Sequence, residues 1–379
     1  MTAPTLERPA ETPAYAAHAH SWWRRTLLTP EIAVIAALVL VYAWSNANVA
    51  NFDGPLTLYY LFLDTAPILL IALPMTLVIV TGEIDLSVAS VVGLSSVAVG
   101  MLHHDAGLSI PAATVLAVLM GMAAGAVNGF LVAYVGLPSL AVTIGTLALY
   151  RGVAVGLLGT QAVTDFPQKW TDLAKERIAD GSSYPVILIP FLLLLIGFAW
   201  LLHFTAFGRG VFEIGLNSEA AHFSGVNVEL TKFWLFVLSG AVAAFAGVYY
   251  TLRYGSARGD NATGLELQVI AAVLLGGVSI FGGRGALHGV VAGVLLIGVL
   301  SSAMRLENYT VNVINIVIGT LLVLSVMSNV MTTSLLGRVR SLAARARGGG
   351  LRPPGRPQPD ATASASTPAP PSTEERHQA

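Results

Sequence analysis

Apolar residues fall in runs of about twenty, separated by short polar breaks, at roughly 31–48, 57–80, 86–103, 109–134, 140–158, 185–204, 231–252, 266–282, 286–304 and 311–331. A helix needs about 20 mostly apolar residues to cross a bilayer, so the pattern predicts an all-α polytopic membrane protein of about ten transmembrane helices. The eighth run holds Gly276, Gly277, Gly282 and Gly283 and is expected to be broken or partly re-entrant. Residues 1–30 read as a polar N-terminal segment with no cleavable signal pattern, leaving the first run as the targeting element. Residues 31–334 read as the transmembrane domain. The stretch 335–379 becomes rich in Pro, Ala, Ser and Gly, and reads as a disordered tail.

The polar break from Gly208 to Gly225, within a loop spanning 205–230, has the chemistry of a short capped helix. Asn217 or Ser218 can cap its N-terminus, Glu219 complements the positive end of the helix dipole, and Gly225 stands where a C-terminal stop belongs. A helix of two turns is marginal alone in water and needs a surface to lie on. Ala220 and Ala221 give it a small-residue face for a partner. From local chemistry alone, a docking element and an ordinary capped loop both fit.

Basic residues flank the ends of the runs unevenly. Arg24 and Arg25 precede the first, Arg209 and Lys232 flank the capped stretch, and Arg338, Arg340, Arg345 and Arg347 follow the last. With ten spans all of these share one side, which predicts cytoplasmic N- and C-termini. Lys169, Lys175 and Arg177 then lie in an outer loop, 159–184, where Trp170 and Leu173 can anchor a short amphipathic helix. Small residues at four-residue spacing, Gly121, Gly125 and Gly129 and again Gly285, Gly289 and Gly293, are expected to let helix backbones approach closely.

Composition narrows the function. Hydrophobic residues are 55% of 379 and charged residues 11%, with mean hydropathy +0.71, outside the range of soluble domains. A net charge of -1 gives no basic face for nucleic acid. The absence of cysteine excludes disulfide, thiolate and Cys-ligated zinc chemistry. No Gly-Lys pair occurs, so no phosphate-cradling P-loop is present, and the eight histidines show no ligand spacing. The chain is therefore expected not to be an enzyme and to bind no cofactor or metal.

Carboxylates near apolar runs are functional candidates because charge is costly in lipid. Gly82, Glu83, Asp85 and Ser87 separate the second and third runs, where Asp85 can cap the third helix and Glu83 can reach water. Asp64 lies inside the second run beside Tyr59 and Tyr60. An acid next to aromatic rings suits sugar hydroxyls, and a position near the outer water interface suits it equally.

Four stretches in order, covering about 55 to 331, resemble the permease subunits of bacterial ATP-binding-cassette importers for monosaccharides, the ribose, xylose and rhamnose group. They are Gly82 to Val88, with Glu83 and Ala89 where the family has glycine; Asn128 to Val132 with Gly136 to Ser139 and Thr143 to Thr146; the capped stretch around Glu219 and Gly225, similar to the family's coupling motif; and Leu275 to Gly285, which includes Gly276, Gly277, Gly282, Gly283 and Arg284. Glu83, Tyr150 to Gly152, Gly159 to Val163 and Gly259 to Asn261 look most like rhamnose-type and autoinducer-2-type members.

The resemblance implies a type II, vitamin B12 importer-like permease fold in the bacterial inner membrane. It also implies a second permease, identical or paralogous, a cytoplasmic ATP-binding subunit carrying ATP and Mg, and an extracytoplasmic sugar-binding protein. The rival class is an ion-coupled secondary transporter, which needs an intramembrane carboxylate; Asp64 is the candidate.

Overall fold

The second apolar run, free of charge from Thr65 to Gly82, is the centre of the architecture. The computed structural model describes residues 29–325 and 327. In it this run becomes helix α2, Pro55–Val80, buried along nearly its whole length. Around it, in chain order, lie α1 (Pro30–Asn48), α3 (Val88–His104), α4 (Ile110–Ala133), α5 (Ser139–Leu158), α6 (Gln168–Leu173), α7 (Leu188–Phe204), α8 (Ala206–Leu216), α9 (Ser218–Phe223), α10 (Val228–Tyr254), α11 (Leu265–Leu275), α12 (Leu287–Leu306) and α13 (Val311–Ser325). Isolated bridges, Val163 with Ala257 and Arg177 with Pro185, are the strand-type pairings among the described residues.

Each of the ten apolar runs carries a helix. Six helices among the described residues are long and apolar enough to cross a membrane, or seven if α7 and α8, bent by 70° at Thr205, form one span. Three runs yield shorter apolar helices, α3, α11 and α13. The eighth run breaks as expected: α11 stops at Leu275, and residues 276–285 form a loop in which Gly277, Gly282 and Gly283 have positive φ. The N-terminal segment before residue 29 and the tail at 335–379 lie outside the described residues.

Two proline residues, Pro67 and Pro74, sit inside α2. A proline has no N–H to offer the carbonyl four residues back. The carbonyl of Leu63, orphaned by Pro67, instead accepts from Arg253 Nη1 and from the Tyr249 hydroxyl, both on α10. The helix defect thereby becomes a tie between the two central helices.

The glycine spacing in the fourth run does what it predicts. A β-carbon on Gly125 would lie 2.2 Å from the Phe236 carbonyl oxygen, and one on Gly121 would lie 2.5 Å from that of Gly240, so α4 and α10 touch backbone to backbone. Gly289 and Gly293 bring α12 onto α11 in the same way, a β-carbon on each falling 2.2 and 2.3 Å from the carbonyls of Gly276 and Ala272. The outward faces of α1, α4, α5 and α7 carry exposed Leu, Val, Ile and Trp side chains, as expected of helices meeting lipid or a second apolar chain.

Candidate functional site

The capped stretch is a compact bent element. Thr205 Oγ1 accepts from the N–H of Gly208 at 3.1 Å and opens α8. Asn217 ends α8 and, as N-cap of α9, accepts from the N–H of Ala220 at 2.9 Å, leaving Ser218 as the first helical residue and Glu219 in the first turn. The far end closes through Gly225 at φ 92°, with the Gly225 N–H on the His222 carbonyl and the Val226 N–H on the Ala221 carbonyl. This is the double-bonded glycine stop that satisfies the last carbonyls of a helix.

The expected small-residue face is divided. Ala220 is exposed, whereas Ala221 is 3% exposed and packs with Ile214, Val226 and Val228. Six residues cannot hold a helix alone, and the Ala221 methyl is what seats it. Outward it presents Ser218, Glu219, Ala220 and His222, with Phe223 at 82% and neighbouring Leu216 at 72% exposure.

At the end of α8, which leads into α9, three segments of the chain meet. A β-carbon on Gly215, at the end of α8, would lie 1.8 Å from the Val80 carbonyl oxygen and 2.4 Å from the Gly283 nitrogen. The Gly283 N–H donates to that same Val80 carbonyl at 2.8 Å. The turn after α2, the tip of α8 and the loop between α11 and α12 therefore share one contact point, with Gly82 at φ 83° and Gly282 beside it. Gly285 packs on Val278 and Val80, Gly276 packs on α12, and Arg284 faces outward while its carbonyl accepts from the Ser279 N–H. Phe281, 74% exposed, projects at the crest of the same loop.

The turn from Gly82 to Ser87 departs from its simplest reading. Glu83 meets Lys232 of α10 at 2.5 Å, and both side chains are less than one-fifth exposed. Asp85 is 1% exposed. Its Oδ1 accepts from the Ser87 N–H at 3.0 Å and the Ser87 hydroxyl at 2.6 Å, and its Oδ2 accepts from the Ser239 hydroxyl at 2.8 Å. Asn128 on α4 donates to Ser87 Oγ at 2.8 Å, and Ser139 and Thr143 of α5 bond the Ile84 backbone. Asp85 thus folds its own turn and also pins that turn to α10 and, through Ser87, to α4.

At the opposite end, Asp64 is engaged on both oxygens: Arg253 Nη2 donates to Oδ1 and Arg305 Nη2 to Oδ2 at 2.9 Å. Tyr59 is turned away from it: its hydroxyl donates to the Lys175 carbonyl and its ring lies 4.4 Å from the Arg177 guanidinium. Tyr60 is half exposed and stacks edge-on against Tyr59. The short helix expected in the outer loop is α6, whose Trp170 packs against an apolar cluster that includes Val248 and Leu252 of α10. Arg258 donates twice to Asp260 in the exposed loop after α10, which holds that carboxyl below its ordinary range.

Phe223, Leu216 and Phe281 were not singled out in the sequence. Their signal is a large apolar residue inside a polar, glycine-bounded break, where no core is available to it. No group of three or more His, Cys, Asp or Glu side chains able to hold a metal occurs among the described residues.

A family model described as branched-chain amino acid transport system / permease component matches residues 57–327. The autoinducer 2 import system permease protein LsrC of Escherichia coli (strain K12 / DH10B) is 35% identical over 279 residues, 73% of this chain and 80% of its own length. The corresponding LsrD protein of Yersinia enterocolitica is 34% identical over 306 residues, 78% of this chain and 90% of its own. LsrD of Photorhabdus luminescens is 32% identical over 315 residues, 80% and 90% of the two chains. No solved structure matches the chain.

Proposed function

The chain belongs to the branched-chain amino acid transport system / permease component family, and from that premise we propose that it is the membrane permease subunit of an ATP-driven sugar importer. In this reading ten spans, with both termini in the cytoplasm, form one half of a type II translocation unit with an identical or paralogous permease. The α8–α9 element faces the cytoplasm and receives an ATP-binding subunit that carries ATP and Mg, while an extracytoplasmic binding protein delivers the solute and supplies most of the affinity. This chain contributes no nucleotide site of its own.

The observation that carries the proposal is the seating of α9. A doubly capped helix with exposed Ala220 and Phe223 is seated through Ala221 on Ile214 of α8, and α8 ends at Gly215 against the turn after α2 and the loop between α11 and α12. A push on α9 is passed through Gly215 to the ends of α2 and α11 without a flexible intermediary. Glu219 supplies negative charge at the helix start, and Gly225 sets the exit angle.

The solute is a monosaccharide or a sugar-like molecule. Rhamnose is the favoured solute on motif details of α5 and of the loop after α10, which resemble rhamnose-type and autoinducer-2-type members alike. An autoinducer 2-type solute is favoured by the relatives named above, whose two kinds, LsrC and LsrD, bear the name of one import system and so speak for a paralogous partner.

The test is co-purification of the cognate ATP-binding subunit with wild-type protein and with Phe223→Ser, paired with uptake of labelled rhamnose, xylose, ribose and autoinducer 2. Burying a phenylalanine contributes about 1.5–3 kcal/mol, so the variant is expected to bind the subunit about ten- to a hundredfold more weakly. Phe223 is exposed, and its loss leaves the permease core intact. Unchanged binding would remove the docking role.

Ion-coupled transport is the second reading. The buried Asp85 and the short helix α11 between two loops favour it. Uptake that stops when the proton and sodium gradients are collapsed, with ATP maintained, would select it.

A further inference from the structure

The half of the molecule away from α9 holds a cleft of about 90 Å³ between α2, α11, α12 and α13. Its polar lining comes from Asp64, Gln268, Ser301, Arg305 and Asn315, with Thr65, whose hydroxyl donates to the Leu61 carbonyl of its own helix, set among isoleucine side chains. Gln268 is half-buried on α11, an apolar helix apart from it and Glu266, and Asn315 is exposed on α13, which also carries Asn312 and Thr320. An amide in such a helix costs free energy unless it is hydrogen-bonded or opens onto water. Neither amide, nor the Ser301 hydroxyl, makes a side-chain hydrogen bond among the described residues. Three unspent polar groups from three helices therefore converge on one opening.

The chemistry of the lining selects its ligand. Amides and a hydroxyl both donate and accept, which matches the hydroxyl groups of a polyol, each of which does the same. A cavity holds one water in roughly 10–15 Å³ of such space, so a cleft of about 90 Å³ admits several hydroxyl-sized groups, the edge of one sugar ring.

The two arginines on Asp64 differ in a way that matters here. Arg253 is 8% exposed and Arg305 is 47% exposed in the side chain. Arg305 can release Asp64 Oδ2 to a ligand hydroxyl and return to water, while Arg253 keeps the carboxylate paired.

We propose that this cleft is the sugar-contacting subsite of the permease, with Gln268 and Asn315 exchanging hydrogen bonds with adjacent hydroxyls, Ser301 taking a third, and Asp64 accepting one as Arg305 withdraws. The proposal rests on the importer reading above and replaces Tyr59 and Tyr60 as sugar contacts, because neither lines the cleft.

The test uses the full chain, its ATP-binding subunit and its binding protein in proteoliposomes, with whichever labelled sugar the wild type takes up and the matching deoxy sugar. Gln268→Leu and Asn315→Leu are expected to lower the initial uptake rate about tenfold, and to bring the ratio of sugar to deoxy-sugar rates toward one. Asn315 is exposed on α13, so Asn315→Ser is the variant that reads the site if the leucine forms fail to accumulate; it is expected to keep an intermediate ratio. Wild-type rates and an unchanged ratio in both Leu variants, with the ATP-binding subunit still co-purifying, would overturn the subsite and leave the importer standing. Failure of the wild type itself to bind that subunit would instead overturn the importer.

Discussion

Gly215→Val is expected to abolish uptake while leaving most of the protein in the membrane and still able to bind the ATP-binding subunit. The substitution places a branched side chain where a single β-carbon would already fall 1.8 Å from the Val80 carbonyl oxygen. Main chain cannot rotate away as a flexible side chain would, so α8 must lift off the turn after α2 and break the packing at Gly283. Overpacking of this kind costs about 1–3 kcal/mol, which a chain of this size survives. The surface presented by α9 to a partner is untouched, but its seat is displaced. ATP hydrolysis should then continue in the assembled complex with little or no sugar movement. Hydrolysis and uptake measured on one reconstituted sample check this, and coupled transport at the wild-type ratio would show that force does not pass through Gly215.

Asp85→Ala is expected to have the larger effect on stability. Three donors, the Ser87 N–H, the Ser87 hydroxyl and the Ser239 hydroxyl, would lose their acceptor inside the bundle. Each buried orphan costs about 1–3 kcal/mol, so the sum is on the order of 3–9 kcal/mol and comparable with the total stability of a folded domain. Little folded protein should be recovered. Asp85→Asn keeps the shape and one acceptor oxygen, and its new donor can be met by a rotated serine hydroxyl, so it should lose far less. The check is the melting temperature of detergent-solubilised protein and its yield from membranes; equal melting for Asp85→Ala and wild type would remove Asp85 as the pin of this turn.

The ten apolar runs announce their helices because spanning length and hydropathy are local properties. The same holds for the cap on α9: Asn217 and Gly225 declare themselves by residue type, and the glycines of the fourth run by spacing. The polar pairings did not show in this way. Glu83 meets Lys232, Asp64 meets Arg253 and Arg305, and Asp85 meets Ser239, all between residues separated by about 150 positions or more along the chain.

No local pattern announces such a partner, and for that reason Asp85 reads as a cap and Asp64 as a free acid until the helices are brought together. The resemblance placed a glycine at the position of Glu83. The structure supplies what that departure requires, an ammonium group across the junction. Which of two adjacent alanines faces inward is likewise decided by the surface beneath a six-residue helix, not by the helix itself. At the family level the resemblance and the comparisons agree.

The two caps of α9 also bear on how tightly the chain would hold a partner on the proposed reading. A loop that folded only on contact would surrender about 1–2 kcal/mol of backbone freedom for each residue ordered, and its affinity would be lower by that amount. With Asn217 closing one end, Gly225 the other and Ala221 already packed, that ordering takes place when the permease folds. On the proposed reading, an ATP-binding subunit would meet a preformed element, and repeated engagement and release through a transport cycle would not need to melt and rebuild it.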